Sequence, residues 1–552
     1  MAKPNTQPVI VHLSTYPPRV CGIASFTFDL VSALDRLFNP ALSSRVLAMA
    51  GPGDRLIPGR KKILGYLKRD DPRGYARAAA RLNRKPEVKL ISIQHEFGIF
   101  GGPRGRHLLL FLRALSKPAI ITFHTVLPEP DRSLRQLVRQ IASRVQKIVV
   151  MTAPSRDILV RDYGLRPGKI KIIPHGIHAF DYALPDRYKQ RLGFNPKTII
   201  FSTFGLLSRG KGTEYVLRSL PAIIKKYPRL IYLVLGPTHP EIIRQEGESY
   251  RRFLEKLVRE LKLQRHVRFR NAYLPLPKLL DYLQATDIYI SASLEPRQAV
   301  SGTLCYALGA GRPVIATPSA QAQSLITPET GRLAGFRDAE TITKAALELL
   351  ASQNQLRQMG QNAYFRTRHM TWENVALSYA RLFSAVVPEL ALYNVHLPPI
   401  KLNHLAALTG PNGIFQFARL SVPDRSSGLT LDDNARALIA AMRYYQTSRD
   451  RTALRLSKVY LRFMDRALSR SGRFRNYFDE HMSPNAQMEN KDNQEDADAR
   501  ALRVLMELSA AQAAPAALRR RAGNILARRF KSGVHFAHPR AMALYIIGLS
   551  YG

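Results

Sequence analysis

The sequence predicts an α/β protein: two doubly wound, Rossmann-like domains followed by an all-α domain. Three observations carry this. Short β-rich apolar runs alternate with helical patterns from Pro8 to about Pro388, as parallel sheets covered by crossover helices require. The alternation restarts near Lys197, so it comes in two rounds. From about Leu397 the strand signals stop and long helical patterns follow one another. The expected domains are 1–185, 186–392 with a closing helix over 371–388, and 393–552, with LYNVHLPPIKLNH (392–404) as the joint.

In the first round, PVIVHLS (8–14) reads as a strand, TYPPRVCGIASF (15–26) as a loop and 27–37 as a helix, with Gly22 at the strand-to-helix turn. Further strands cover 88–93, ending at Gln94-His95-Glu96, and 119–123, ending at His124-Thr125. Two more cover 147–151 and 170–173, the last ending at Pro174-His175-Gly176. Helices fit 106–114, 134–145 and 155–163. Polar residues recur at the C-terminal ends of strands, where open α/β sheets bind ligands.

The second round places strands at 198–204, 230–236, 267–269, from Asp287, and at 314–316, with helices at 214–226, 246–261, 276–284, 341–352 and 355–367. Val300-Ser301-Gly302-Thr303 opens a helix that Gly309 and Gly311 end and that Pro313 cannot continue. MTWENVALSYARLFSAVV, with the only Trp, reads as a long amphipathic helix closing the round. Beyond it, helices are expected over 431–445, 452–467, 493–511, 515–530 and 539–549.

Composition narrows the function classes. The 552 residues allow about three domains, and 45% hydrophobic with 22% charged residues describes a globular chain. No apolar run has the length of a membrane span, and MAKPNTQPVIVHLSTYPP lacks the apolar segment of a signal peptide. Two cysteines, Cys21 and Cys305, argue against a disulfide framework and fit a reducing cytosol. No Cys/His group has zinc-site spacing. The net charge of +42, from 83 Lys+Arg against 41 Asp+Glu, draws the protein to polyanions. The excess is dispersed, including 132–147 and 519–531, with no zinc-finger or RNP pattern, which argues against specific nucleic-acid binding. A solvated basic surface is one reading, and contact with an anionic membrane face is the other, which would put the protein in the cytoplasm, peripheral at the inner membrane face.

Two stretches have the chemistry of a phosphate site. Ser301-Gly302-Thr303 offers free backbone N–H groups at the positive end of a helix, although an ordinary capped crossover helix has the same look. GLLSRGKG (205–212) leaves a strand and enters a helix, so Lys211, with Arg209 beside it, can reach a diphosphate; a solvated surface loop is the competing reading. In the α region, Asp432 with Asp433, and Asp496 with Asp498 and Glu495, present paired carboxylates at helix starts. Acid–base work on a glycosidic bond is one use for them, but capping and ion pairs to Arg436 and Arg500 weigh more.

In this order, the loop PPRVCGIASF, His124 at the end of a central strand, the G-x-x-x-x-x-K-G loop and the late helix resemble family 4 glycosyltransferases of the GT-B fold, over about Pro8–Pro388. The resemblance implies retaining transfer of a sugar from a nucleotide diphosphate to an acceptor saccharide or glycolipid, with no cofactor and no metal beyond the nucleotide-sugar co-substrate. It further implies that Lys211 neutralises the leaving diphosphate, that the amides of Ser301, Gly302 and Thr303 hold it, that His124 bonds the donor sugar, and that Gly22 lets the first loop approach the phosphates. The family's two glutamates, eight positions apart, are replaced by Gln298 and Tyr306; Glu295 lies near enough to substitute, and Leu206 stands where an Arg is common, with Arg209 to compensate. A subgroup with QHEFGIFGG, FGLLS-x-x-KG, GPTHP and SGTL-x-YALG-x-G resembles the chain more closely. Its second module, carrying GIFQFA, LTLDDNARALI and GRFRN, resembles an α/α toroid, and the helices up to IIGLSYG make about half of one, so an incomplete module is expected. The rival expectations are a binding protein that kept the fold without turnover, and a second, glycoside-processing activity in the α region.

Overall fold

The computed structural model describes residues 7–54, 56–57, 61–179, 181–390, 400–420, 422–489 and 494–551. The chain divides into two compact units, Met1–Pro398 and Pro399–Gly552. Most of the expected joint at 392–404 lies outside the described residues.

The first unit holds two parallel sheets. One contains β1 (Val9–Ser14), β2 (Ser43–Ala50), β3 (Ile63–Lys68), β4 (Val88–His95), β5 (Ala119–Phe123), β6 (Lys147–Val150) and β7 (Ile170–Ile172), in the order β3-β2-β1-β4-β5-β6-β7. The other contains β8 (Ile199–Phe204), β9 (Leu230–Leu235), β10 (Val267–Arg270), β11 (Ile288–Ser291), β12 (Val314–Ala316) and β13 (Gly331–Leu333), in the order β10-β9-β8-β11-β12-β13. Each sheet therefore reverses strand order once, between β1 and β4 and between β8 and β11.

The strands are apolar on both faces because helices cover both. Val11, Leu13, Ile91, Ile93 and Ile121 pack under the helices Pro72–Asn83, Leu108–Ala114 and Arg132–Ser143. Their neighbours one position away, Ile10, Leu90 and Ile120, pack on the opposite side under the helices Gly22–Phe38 and Trp372–Val386.

The foreseen strands and helices form, most with ends shifted by a few residues, and β2, β3 and β13 are additional. β3 is interrupted by Gly65 and β13 has only three residues, so neither has a strong apolar run; β2 has one, Val46–Ala50, which the expected strands leave out. The first helix starts at Gly22, inside what the sequence reads as loop. Its N-cap is Cys21, whose Sγ accepts from the Ala24 N–H at 3.4 Å. A thiol is not among the usual capping groups, so the start was not legible.

The second unit is helical over most of its length, with Leu431–Ser448, Arg451–Ala467, Glu495–Ala510, Ala516–Phe530 and Pro539–Leu549. It is not purely α. β14 (Phe415–Arg419), β15 (Val422–Thr430) and β16 (Tyr477–Phe478) form an antiparallel sheet. Only Phe415, Leu429 and Phe478 at one end of it reach the helical core, and the rest of β15 is polar, so no apolar alternation announced it. Among the described residues no helix is long and apolar enough to cross a membrane.

Two chain segments cross side by side between the lobes of the first unit. The Ile177 N–H donates to the Met370 carbonyl (2.8 Å), and the Trp372 N–H donates to the Ile177 carbonyl (2.9 Å). The helix Trp372–Val386 then returns to the first sheet. There Tyr379 and Thr122 share a buried hydroxyl–hydroxyl bond of 2.8 Å, and Arg36 pairs with Glu373 at 2.6 Å. The crossing needs a bare backbone at Gly176, where a Cβ would lie 2.2 Å from the Trp372 ring. Gly176→Ala is expected to lower stability by about 1–3 kcal/mol through this overpacking, read as a lower urea midpoint at unchanged slope.

Candidate active site

Strand-order reversals leave crevices at the carboxyl ends of the sheets, and that is where the candidate site lies. A cavity of about 610 Å³ is walled by the start of the Gly22–Phe38 helix from the first lobe. The second lobe supplies the loops after β8, β9 and β10 and the helix Gly302–Gly309.

The loop after β8 turns back through a single helical turn, Arg209–Lys211, and ends on Gly212 in the left-handed region at φ 60°. This aims Lys211 into the cavity. A Cβ placed on Gly205 would lie 3.7 Å from Lys211 Nζ and 3.3 Å from Thr303 Cγ2, so the ammonium and the helix N-terminus flank one point. The loop after β9 joins them because Gly236, at φ 132°, lets its backbone touch that of Gly205; a Cβ there would meet the Gly205 carbonyl at 2.2 Å. No carboxylate among the described residues pairs with Lys211, and burial lowers its pKa. His239 lines the same wall, its Nδ1 accepting from the Glu241 N–H (3.1 Å), which leaves Nε2 to donate when neutral. Burial lowers its pKa too, and Lys211 adds to the effect. A cluster of donors and positive charge without a counter-charge is a seat for an anion such as a diphosphate.

Ser301 caps the helix, its Oγ accepting from the Leu304 N–H at 3.4 Å. Its own N–H is already spent on Gln321 Oε1. Of the three amides assigned to a ligand, that of Ser301 is therefore occupied, and those of Gly302 and Thr303 are left. His175 covers this helix end: a Cβ on Gly302 would lie 2.9 Å from His175 Nε2.

One turn further along the helix, Tyr306 reaches across to the first lobe, its hydroxyl donating to Asp29 Oδ2 at 3.2 Å. His178 Nε2 lies 3.4 Å from the same oxygen. Ser25 and Tyr273 make a second cross-lobe contact, 3.3 Å between hydroxyls. The far wall is apolar, with Val20, Phe28, Tyr273 and Leu276 exposed toward it.

The remaining expected residues scatter. Gly22 lines the cavity at the N-terminus of its helix. His124 is buried, with Nε2 2.9 Å from Gln94 Oε1 and its ring edge-on to Phe26 at 4.8 Å; burial, with His175 and His95 nearby, holds its pKa at about 3. It does not line the cavity; His175 and His178, after β7, stand nearer the helix end. Arg209 turns outward to Glu246 (3.4 Å) and over the Tyr250 ring. Glu295 is exposed and bonded to Arg297, and Gln298 shapes the turn before the helix, its N–H on the Glu295 carbonyl (3.2 Å) and its carbonyl on the Gln321 N–H (3.2 Å). Sequence reasoning missed Asp29, His175, His178 and His239. GPTHP and PHG at strand ends were the available signals for the histidines; Asp29 lies mid-helix and had none.

In the second unit the carboxylate pairs are occupied. Arg436 meets Asp432 at 2.5 Å, and Arg500 meets it as well; Asp433 accepts from Thr430 (2.7 Å). Arg529 holds Asp498, Arg540 holds Asp496, and Glu495 accepts the N–H groups of Ala537 and His538. These are the ion pairs and caps of a structural role.

A family model described as Glycosyltransferase Family 4 matches residues 20–179, and one described as Glycosyl transferases group 1 matches residues 186–366, together more than half of the chain. D-inositol 3-phosphate glycosyltransferase of Rhodococcus jostii is 24% identical over 254 residues, which is 45% of this chain and 54% of that protein. Mannosylfructose-phosphate synthase of Agrobacterium fabrum is 26% identical over 178 residues, 31% of this chain and 37% of that one. The chain thus spans about half the length, or less, of the curated relatives it matches. Among solved structures, a glycosyltransferase from Rickettsia africae matches with a TM-score of 0.55 at 17% identity, over 69% of this chain and 99% of that one. Sucrose-phosphate synthase from Thermosynechococcus elongatus matches with 0.55 at 19%, over 69% and 100%. Anabaena HepE in complex with UDP matches with 0.54 at 15%, over 68% and 99%. These likenesses establish the two-lobed GT-B fold.

The unpaired ammonium has a measurable consequence. Because burial lowers the Lys211 pKa, the unfolded chain binds more protons between the lowered and the ordinary lysine value, and stability rises with pH across that window. Without ligand at pH 7, Lys211→Met is expected to unfold at a higher urea concentration than wild type, the gap closing as pH rises through the lysine range. Inorganic pyrophosphate should raise the wild-type midpoint and leave that of the variant unmoved.

Proposed function

Since this chain belongs to the family 4, group 1 glycosyltransferases, we propose that it moves a sugar from a nucleoside-diphosphate donor to an acceptor glycan or lipid with retention of anomeric configuration. One observation carries the reading: Lys211, without a counter-charge, and Thr303 in the first turn of the Gly302–Gly309 helix flank one point of the cleft. The bond between the anomeric carbon and the diphosphate oxygen breaks there, and the electron pair leaves with the oxygen. Lys211 and the two amides take up that charge as it develops. The acceptor hydroxyl attacks from the face the diphosphate leaves, forming the new C–O bond, and its proton passes to the departing phosphate oxygen. No separate base is needed. The cavity's apolar wall at Tyr273 and Leu276 suits a flat nucleobase, with the cationic wall for the diphosphate.

His124 is assigned to orient the donor sugar through its neighbours, as a neutral imidazole. UDP-sugars head the donor panel, because a protein of the same fold is described with UDP and UDP-glucose. Polyol phosphates are the first acceptors to try, given the names of the curated relatives. The domain limits at 185/186 and 392/393 belong to the same reading. So does the view of the second unit as part of an α/α toroid: its helix 431–448 packs on 451–467 and 495–510, and 495–510 packs on 516–530 and 539–549. The occupied carboxylates there favour a non-catalytic module.

Turnover of donor to free nucleoside diphosphate, with and without acceptor, tests the proposal. Lys211→Ala is expected to lose about 10²–10³-fold in kcat, the loss typical of removing one group that stabilises a developing anion; equal rates for wild type and variant would refute the assignment, and no turnover with any donor would favour a binding protein. The basic surface is expected to co-sediment with phosphatidylserine vesicles and to release steeply between low and physiological salt.

A further inference from the structure

We propose that Asp29 is a donor-binding residue: from the first lobe, its carboxylate accepts a hydrogen bond from a hydroxyl of the nucleotide sugar held on the second. The inference rests on the donor reading above. Among the residues lining the cavity Asp29 is the sole carboxylate. In a chain with 83 basic against 41 acidic side chains, no Lys or Arg among the described residues pairs with it. Its hydrogen-bond partner is the Tyr306 hydroxyl, 3.2 Å from Oδ2, and His178 Nε2 lies 3.4 Å from the same oxygen without making a hydrogen bond. Oδ1 has no hydrogen-bond partner among the described residues.

Tyr306 is fixed as the donor in this arrangement. Burial, with Asp29 beside it, pushes the phenol well above its ordinary pKa, so it stays protonated. The Lys211 ammonium, the helix amides and the His239 N–H are donors to a ligand, and the hydroxyls of Ser25, Ser208, Thr303 and Tyr273 are neutral, so Asp29 is the one charged acceptor lining the cavity. A sugar nucleotide also presents hydroxyls, which need an acceptor. The helix Gly302–Gly309 carries no acidic residue that could supply one. Asp29 supplies it from the facing helix, held in position by the very residue, Tyr306, that stands at the ligand. Recognition of the hydroxyl then depends on both lobes keeping their register, so donor affinity and lobe closure are coupled through one side chain.

Calorimetric titration of the full chain tests this with three probes: inorganic pyrophosphate, the tightest-binding of UDP, GDP and ADP, and the matching glucose nucleotide. Wild type is compared with Asp29→Asn, which keeps size and removes charge. If the hydroxyl is on the ribose, Asn weakens the nucleoside diphosphate and its sugar alike by about tenfold, and pyrophosphate binds as before. If the hydroxyl is on the transferred sugar, only the glucose nucleotide weakens. Either outcome supports Asp29. Unchanged affinity for all three overturns it, and equal weakening of all three, pyrophosphate included, overturns it too by assigning Asp29 to lobe packing. A wild type that binds pyrophosphate but no nucleotide overturns the donor reading, and this inference with it.

Discussion

An ammonium group held in a protein wall with no anion beside it is an expensive arrangement, and the first unit is built around one. Lys211 is half-buried, and burial alone lowers its pKa. The helix end at Gly302-Thr303 adds positive potential at the same point instead of relieving it. Such a site is stable only if the backbone around it is stiff. Gly205, Gly236 and Gly212 provide that stiffness by letting three loops touch where side chains would keep them apart. On the proposed donor reading, the free energy withheld from the empty protein would become available when a diphosphate binds, and more of it when that diphosphate carries the extra charge of a leaving group.

The second constraint is the register of the lobes. The paired crossing at Ile177 and Met370–Trp372 and the helix that follows fix the first sheet against the second lobe. Thr122 with Tyr379, Arg36 with Glu373 and Phe26 against Trp372 are the contacts that set the position. The cleft contacts, Tyr306 with Asp29 and Ser25 with Tyr273, exist only because that register holds. Groups far apart in the chain therefore act as one wall.

The second unit follows a different logic. Asp432 and Asp498 lie in the first turns of their helices and each meets an arginine from another helix, Arg500 and Arg529, which is one way a strongly basic chain holds helices together. Its small sheet pairs backbone more than it buries side chains, and this is why three strands could arise from a stretch without apolar alternation.

Local pattern alone settled most of the parallel strands in the two rounds, though not β2, β3 and β13, together with the helix opened by Ser301, the Lys211 loop and the helices of the second unit, because burial of alternate faces and helix capping act within a few residues. Composition and motif order were enough to point to a phosphate-binding cleft. The sequence could not say that Ser301's amide is taken by Gln321, that Arg209 turns outward to Glu246, or that His124 lies beneath Phe26 while His175 covers the helix end. It gave no sign of Asp29, whose meaning comes from a tyrosine 277 positions away. Each of those facts depends on which side chains from distant segments arrive at one place: packing within a lobe brings Gln321, Glu246 and Phe26 to their partners, and packing of one lobe on the other brings Asp29 to Tyr306.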